Sequence, residues 1–292
     1  MGELEKIKNK PTCPACMQKM NYTFSANLLC KHDVSYYKCL NCGLLQTEKP
    51  YWLDEAYDSA IASLDVGLVQ RNLKLSGTVS KIISAYFDPL AKYLDFAGGY
   101  GLFVRLMRDK GYDFYRHDKY CENIFAKYFD EPSLSSDELH FELVTAFEVF
   151  EHVYDPVVEL VKLFKLTDTV LFTTELLPSG INSTDDWWYF VPETGQHITF
   201  YTELSLRKIA DKLSVNFFSD EKSLHMMTRR EFDSNPFLTH DEKSMIDRVR
   251  IAFSKKFALP FTSNLVNGDI SIEKDFQYIR SKIKRSNFSK KY

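Results

Sequence analysis

A short apolar strand, Tyr93-Leu94-Asp95-Phe96, runs directly into a loop of small residues, Ala97-Gly98-Gly99-Tyr100-Gly101, and Leu102 to Lys110 then carries the period of an amphipathic helix that stops at Gly111. A strand followed at once by a helix cannot return to an adjacent antiparallel strand through a tight hairpin. Its natural continuation is a crossover to a parallel neighbour.

The rest of the chain repeats that order. Strands are expected at Tyr112 to His117, Phe141 to Phe147 and Val170 to Thr174, with a helix opened by Asp155-Pro156 and running through Leu166, and another from Thr202 to Leu213. Val215 to Phe218 and Leu224 to Met227 flank the short polar turn Ser219-Asp220-Glu221-Lys222, which suits a closing antiparallel hairpin. The expected fold is α/β: a Rossmann-like, doubly wound, seven-stranded and mostly parallel sheet whose last strand is antiparallel. The expected divisions are a small N-terminal cysteine ribbon over 1–50, a helical linker over 51–90, the sheet domain over 91–230, and a helical extension with a basic tail, Arg280 to Lys291, over 231–292.

Small residues in the first loop let a ligand approach the backbone, and the following helix N-terminus offers free amides to a carboxylate or phosphate. A dinucleotide fingerprint needs one more Gly or Ala three residues after Gly101, where Val104 stands. Hydride-transfer chemistry is thereby disfavoured.

Cys13-Pro14-Ala15-Cys16 and Cys39-Leu40-Asn41-Cys42 are two knuckles of the kind that aim paired thiolates at one ion, with Gly43 suited to the twist after the second. The expectation is a structural zinc held by Cys13, Cys16, Cys39 and Cys42, with iron as the rival ion. Four protein ligands close the shell, so the ion does no chemistry. Cys30 and Cys121 are expected to be ordinary buried thiols.

Asp95, the small residues Ala97, Gly98, Gly99 and Gly101, and the second acidic residue Asp118 resemble the S-adenosylmethionine site of class I methyltransferases. The resemblance implies that Asp118 bonds the ribose hydroxyls and that Phe147 and Glu148 also face the cofactor. Ala97 replaces the usual first glycine and adds a methyl group near the methionine moiety. Over a longer stretch, to about Arg229, the segment order is similar to bacterial methyltransferases of surface-carbohydrate assembly. Cys13 to Cys42, Asp95 to Gly101, Phe147 to His152 and Trp187 to Tyr201 carry that likeness.

Phe147-Glu148-Val149-Phe150-Glu151-His152 follows a strand at the sheet edge where ligands bind in such folds. Methyl transfer requires alignment of acceptor and cofactor and, for a hydroxyl acceptor, removal of one proton. His152 and His197 are the candidate bases, with Glu148 and Glu151 beside them. Glu148, Glu151 and His152 also resemble the cation-binding residues of ubiquinone-biosynthesis O-methyltransferases and small-RNA 2′-O-methyltransferases, with His197 as the completing ligand. That likeness implies a second, divalent cation polarising the acceptor hydroxyl. Simple pocket lining by the same residues is the alternative. Glu175 is a further carboxylate at this edge, and Trp187-Trp188-Tyr189-Phe190 could stack on an acceptor.

The formal net charge is −3 with both signs interspersed, which disfavours a nucleic-acid partner. No apolar run is long enough to span a bilayer. Paired cysteines and a start without an apolar leader point to the cytoplasm. The expected activity is methylation of a small polar acceptor, a sugar or nucleotide sugar. RNA modification through the ribbon, or a non-catalytic scaffold, are the alternatives.

Overall fold

A computed structural model of the chain describes residues 10–57, 64–131, 134, 139–237 and 273–282. The basic tail beyond Lys282 and most of the extension before residue 273 lie outside the described residues.

The central sheet has six strands in the order β5-β4-β6-β7-β10-β9, built from β4 (Lys92–Phe96), β5 (Asp113–His117), β6 (Leu143–Ala146), β7 (Thr169–Thr173), β9 (Asn216–Ser219) and β10 (Leu224–Thr228). β4 pairs in parallel with β5 and β6, and β6 with β7, whereas β10 runs antiparallel to both β7 and β9. The closing hairpin is therefore present. Seven strands were expected; among the described residues the central sheet has six, with one isolated parallel bridge, Arg116 to Asp130, at the β5 edge.

Alternate residues of each strand enter different cores, as a sheet covered on both sides requires. After the one-turn helix α1 (Leu53–Ala56) come α2 (Leu68–Tyr86) and α3 (Leu102–Asp109), beneath which Tyr93, Leu143, Leu171 and Met226 pack against Val79, Ile83, Phe103 and Met107. Leu94, Val144, Val170 and Met227 meet α4 (Pro156–Leu163) and α5 (Glu203–Leu213) on the other side. The Asp155 side chain caps α4 by accepting from Val158 N, and the Thr202 side chain caps α5 by accepting from Ser205 N. α2, which lies in the segment expected as a linker, is thus part of one face of the sheet domain.

The N-terminal module is a second sheet, β1 (Asn21–Leu28), β2 (His32–Lys38) and β3 (Leu45–Thr47), completed by β8 (Thr199–Phe200) from the far end of the chain. Leu29 and Cys30 both have positive φ in the β1–β2 turn, the twist a tight hairpin needs. Cys30 is consequently exposed at the turn, contrary to the expected buried thiol. The ribbon does not stand apart: Cys13, Cys39, Cys42 and Leu44 share one core with Leu160, Leu206 and Ile209. No described helix is long and apolar enough to cross a membrane.

Helix α6, over 273–282, docks on α3. Asp275, itself buried, accepts from Arg108 Nη2 at 2.7 Å and from Arg105 Nη2 at 3.0 Å, and Arg108 also pairs with Asp113.

Candidate active site

Between β4 and β6 the chain's direction of travel across the sheet reverses, and the carboxyl ends of these two strands open a crevice. The Ala97–Gly101 loop forms one wall and Phe147–His152 the other. The Phe147 ring meets Phe103, in the first turn of α3, edge-on at 5.0 Å, which joins the two walls.

The loop is held from below. Asp95 is buried and accepts from the Thr145 hydroxyl at 2.7 Å. A Cβ on Gly98 would lie 2.6 Å from Asp95 Oδ2 and 3.0 Å from Arg116 Cγ, so only glycine fits above that carboxylate. Burial raises the Asp95 pKa to about 7. Gly101 has φ +84° at the start of α3, a conformation that favours glycine. Ala97 and Glu148, one at each wall, are non-glycine residues with φ +54°, an uncommon backbone state that must be held by its surroundings. Asp118 reaches back over the loop: its Oδ2 accepts from Gly99 N at 2.9 Å, while Oδ1 accepts from Tyr120 N and Cys121 N.

Glu151, His152 and His197 converge, with one ligand atom of each within 4.8 Å of the others. His152 is carried by a one-turn 3₁₀ segment after β6, and His197 lies just before β8. The two rings meet edge-on at 4.8 Å. His197 Nδ1 donates to the Tyr189 carbonyl at 2.6 Å, and His152 Nδ1 lies 3.1 Å from the Gln196 carbonyl and 2.8 Å from the Tyr57 hydroxyl. Carbonyls only accept, so both protons sit on Nδ1 and both Nε2 atoms keep a lone pair. Burial lowers His152 to about 3, with His197 adding to the shift, and burial lowers His197 to about 4. Both imidazoles are neutral near pH 7.

The Glu151 carboxylate is fully buried, and its pKa is raised by that burial and by the Glu148 charge. The Tyr189 hydroxyl donates to Oε1 at 2.6 Å, but Oε2 has no hydrogen-bond partner among the described residues. A buried carboxylate oxygen without a partner among the described residues, beside two neutral imidazoles, is a donor set that could hold a cation. Glu148 stands outside that trio. It accepts from the Thr173 hydroxyl at 2.8 Å and faces Arg71 at 3.8 Å, and Arg71 in turn forms a two-bond pair with Asp65. Glu175 is half-buried and raised by burial and by Glu148.

Sequence reasoning did not reach Tyr57, Thr145, Thr173 or Arg71. Tyr57 spans the crevice, with its hydroxyl at His152 and its ring stacked on Tyr120, two residues beyond Asp118. In the aromatic run, Tyr189 and Phe190 are buried as neighbours and Trp188 is exposed, because Trp188–Phe190 is a 3₁₀ turn in which strand alternation does not hold.

At the ribbon, Cys13 Sγ lies 3.6 Å from Cys42 Sγ and Cys16 Sγ 3.4 Å from Cys39 Sγ, with all four within 4.8 Å. A tetrahedral thiolate zinc site has sulfur–sulfur edges of about 3.8 Å. The four sulfurs therefore have the chemistry and the spacing to hold one such ion. Cys121 is partly buried, and burial raises its thiol to about 11.

The model of a family described as "Methyltransferase domain" matches residues 69–214, half of the chain. The chain belongs to this family. It is an S-adenosylmethionine-dependent methyltransferase, and its match begins inside α2. This methyltransferase is similar in fold to the plantazolicin methyltransferase BpumL, solved with SAH and a monoazolic desmethylPZN analog, at 11% identity and TM-score 0.44 over 61% of this chain and 93% of that one. It is also similar to magnesium protoporphyrin IX methyltransferase from Synechocystis PCC 6803, solved with bound SAH, at 12% identity and TM-score 0.40 over 60% and 90%. An O-methyltransferase family protein from Burkholderia thailandensis is 11% identical at TM-score 0.45, over 63% and 64%. No curated protein matches the methyltransferase.

Proposed function

We propose that this methyltransferase methylates a hydroxyl of a small polar acceptor, a sugar or nucleotide sugar, at the Glu151–His152–His197 cluster, and that the cluster takes a divalent cation. The observation that carries the reading is the buried Glu151 Oε2 without a partner among the described residues, set beside two imidazoles whose Nδ1 protons are spent on backbone carbonyls. Metal-binding histidines are oriented in this way. Imidazoles lowered to about 3 and about 4 are poor unaided bases near neutral pH but good neutral ligands. A bound cation would supply Lewis acidity and lower the pKa of the acceptor hydroxyl.

In this reading Asp95, Ala97, Gly98, Gly99, Gly101, Asp118, Phe147 and Glu148 form the cofactor side of the crevice. Gly99 and Gly101 bring bare backbone to the ligand, and Asp118 meets the ribose hydroxyls. Glu148 adds negative charge beside the trio. Tyr57 and Tyr189 hold His152 and Glu151 in place. The exposed Trp188 offers a face for stacking on a sugar ring. Cys13, Cys16, Cys39 and Cys42 hold a structural zinc. The cysteine end of the ribbon is engaged with α4 and α5, which favours a small acceptor over RNA.

The test is a mass-spectrometric assay of S-adenosylmethionine with a panel of sugars and nucleotide sugars, with Mg²⁺, Mn²⁺, Zn²⁺ or a chelator too weak to strip four thiolates. Cation-dependent gain of a methyl group, lost in Glu151→Gln, is the expected result. Methylation of RNA with none of sugars, or full activity without a cation, would overturn the respective part of the reading.

A further inference from the structure

Gln46 lies in the middle of β3, a ribbon strand whose three residues are all buried. An amide buried there is costly unless its protons are used. Both are: Nε2 donates to the Tyr154 carbonyl at 2.7 Å and to the Thr199 hydroxyl at 2.9 Å. The Thr199 hydroxyl passes its own proton to the Val153 carbonyl at 2.8 Å. Two successive carbonyls just after His152 are thus gripped from one point. Tyr154 stands two residues past His152, and Thr199 stands two residues past His197. The ribbon backbone reinforces the join, since Thr47 N donates to the Ile198 carbonyl at 3.0 Å and Ile198 N donates to the Glu151 carbonyl at 2.8 Å.

We propose that Gln46 is a positioning residue of the active site: its carboxamide ties the arm carrying His152 to the arm carrying His197 and so fixes the approach of the two imidazoles. The ribbon is then a wall of the active site and not an appendage, for its third strand holds the register of the histidine arms. An apolar side chain of the same length would fill the space and remove both carboxamide bonds, leaving the arms joined by the Thr199 hydroxyl and by the bonds of Ile198 N to the Glu151 carbonyl and of His152 to the Gln196 carbonyl. The inference rests on the reading that His152 and His197 act together, but its test does not need an acceptor.

The test uses the full chain as wild type, Gln46→Met and Thr199→Val, with long-range ¹H–¹⁵N spectra of the histidine side chains at one pH. In the wild type, His152 and His197 give Nδ1–H tautomer patterns. In both variants these two patterns are expected to broaden or change tautomer together, while His225, held by Ser219 and Thr174 in the core, keeps its own. S-adenosylmethionine affinity is expected to hold, and affinity for Mn²⁺ to fall about 10–100-fold. Unchanged His152 and His197 patterns in the variants would overturn the proposal, even if thermal stability dropped, because a merely structural glutamine would cost stability alone. If Gln46→Met does not fold, the near-isosteric Thr199→Val decides by the same spectra. Failure of the wild type to bind any cation would count against the proposed function, and the spectra would then decide the role of Gln46 by themselves.

Discussion

The Tyr189 hydroxyl donates to Glu151 Oε1 at 2.6 Å, and that bond leaves Oε2 as the unpartnered oxygen of the carboxylate among the described residues. Tyr189→Phe removes the donor and leaves a second buried carboxylate oxygen without a hydrogen bond, at a cost of about 1–3 kcal/mol. Cation affinity is expected to fall by roughly 10–100-fold. Thermal unfolding and calorimetric titration with Mn²⁺ check both. Unchanged affinity would show that Tyr189 does not orient this carboxylate.

The ribbon's cysteines share a core with α4 and α5. Stripping the proposed zinc with a strong chelator is therefore expected to lower the melting temperature of the whole fold in one transition, not to melt the ribbon separately. Cys39→Ser should do the same and abolish stoichiometric zinc. Calorimetry with parallel metal analysis distinguishes the cases: two separated transitions would mean that ribbon and sheet are uncoupled.

Asp95 has its pKa raised to about 7 by burial, from an ordinary value of 3.8. Between those pH values the folded state holds a proton that the unfolded chain has released. Its contribution is thus fully present below about pH 4 and is lost as pH rises through about 7, a span worth about 4 kcal/mol at most. Asp95→Asn mimics the protonated form and still accepts from Thr145. The variant's stability relative to wild type is expected to grow from pH 4 to pH 7 and level off above. Urea unfolding across that range is the measurement, and parallel curves would refute the shift.

Arg108 and Asp275 are both buried, and the carboxylate ties α6 to the sheet domain beside the Tyr278 stack on Phe129. Asp275→Ala leaves Arg108 with Asp113 and the Phe114 carbonyl but without its buried counter-ion. The expected loss is about 3 kcal/mol, with faster hydrogen exchange confined to residues 273–282 and the facing turn of α3. Cofactor affinity should stay constant, since none of these residues reaches the crevice walls described above.

Local patterns carried most of the fold. The strand-to-helix junction at Asp95–Gly101, the Asp155-Pro156 cap and the hairpin at Ser219–Lys222 are each specified by residues close in sequence, so each could be read directly. The expected strand number was one higher than the six found among the described residues, because no local pattern fixes how many strands a sheet closes with. Cys30 was misplaced for a similar reason: its exposure comes from a turn conformation, not from its chemistry.

The candidate site divides along the same line. Residue type and local order were enough to select Glu148, Glu151, His152, His197 and the four ribbon cysteines, since few side chains suit a metal or a proton transfer. Tyr57 is a common residue in ordinary surroundings, Tyr189 stood out only as part of an aromatic run that could stack on an acceptor, and nothing in the sequence marks Gln46. Their roles arise from contacts across 95, 38 and 153 positions, to His152, Glu151 and Thr199 respectively. The last of these lies where the ribbon strand β3 pairs with β8. The sequence by itself determined the kinds of donor and the sheet edge that carries them. Tertiary structure decided which oxygen of Glu151 is left unpaired and which nitrogen of each histidine keeps its lone pair, because burial and long-range hydrogen bonds set those choices.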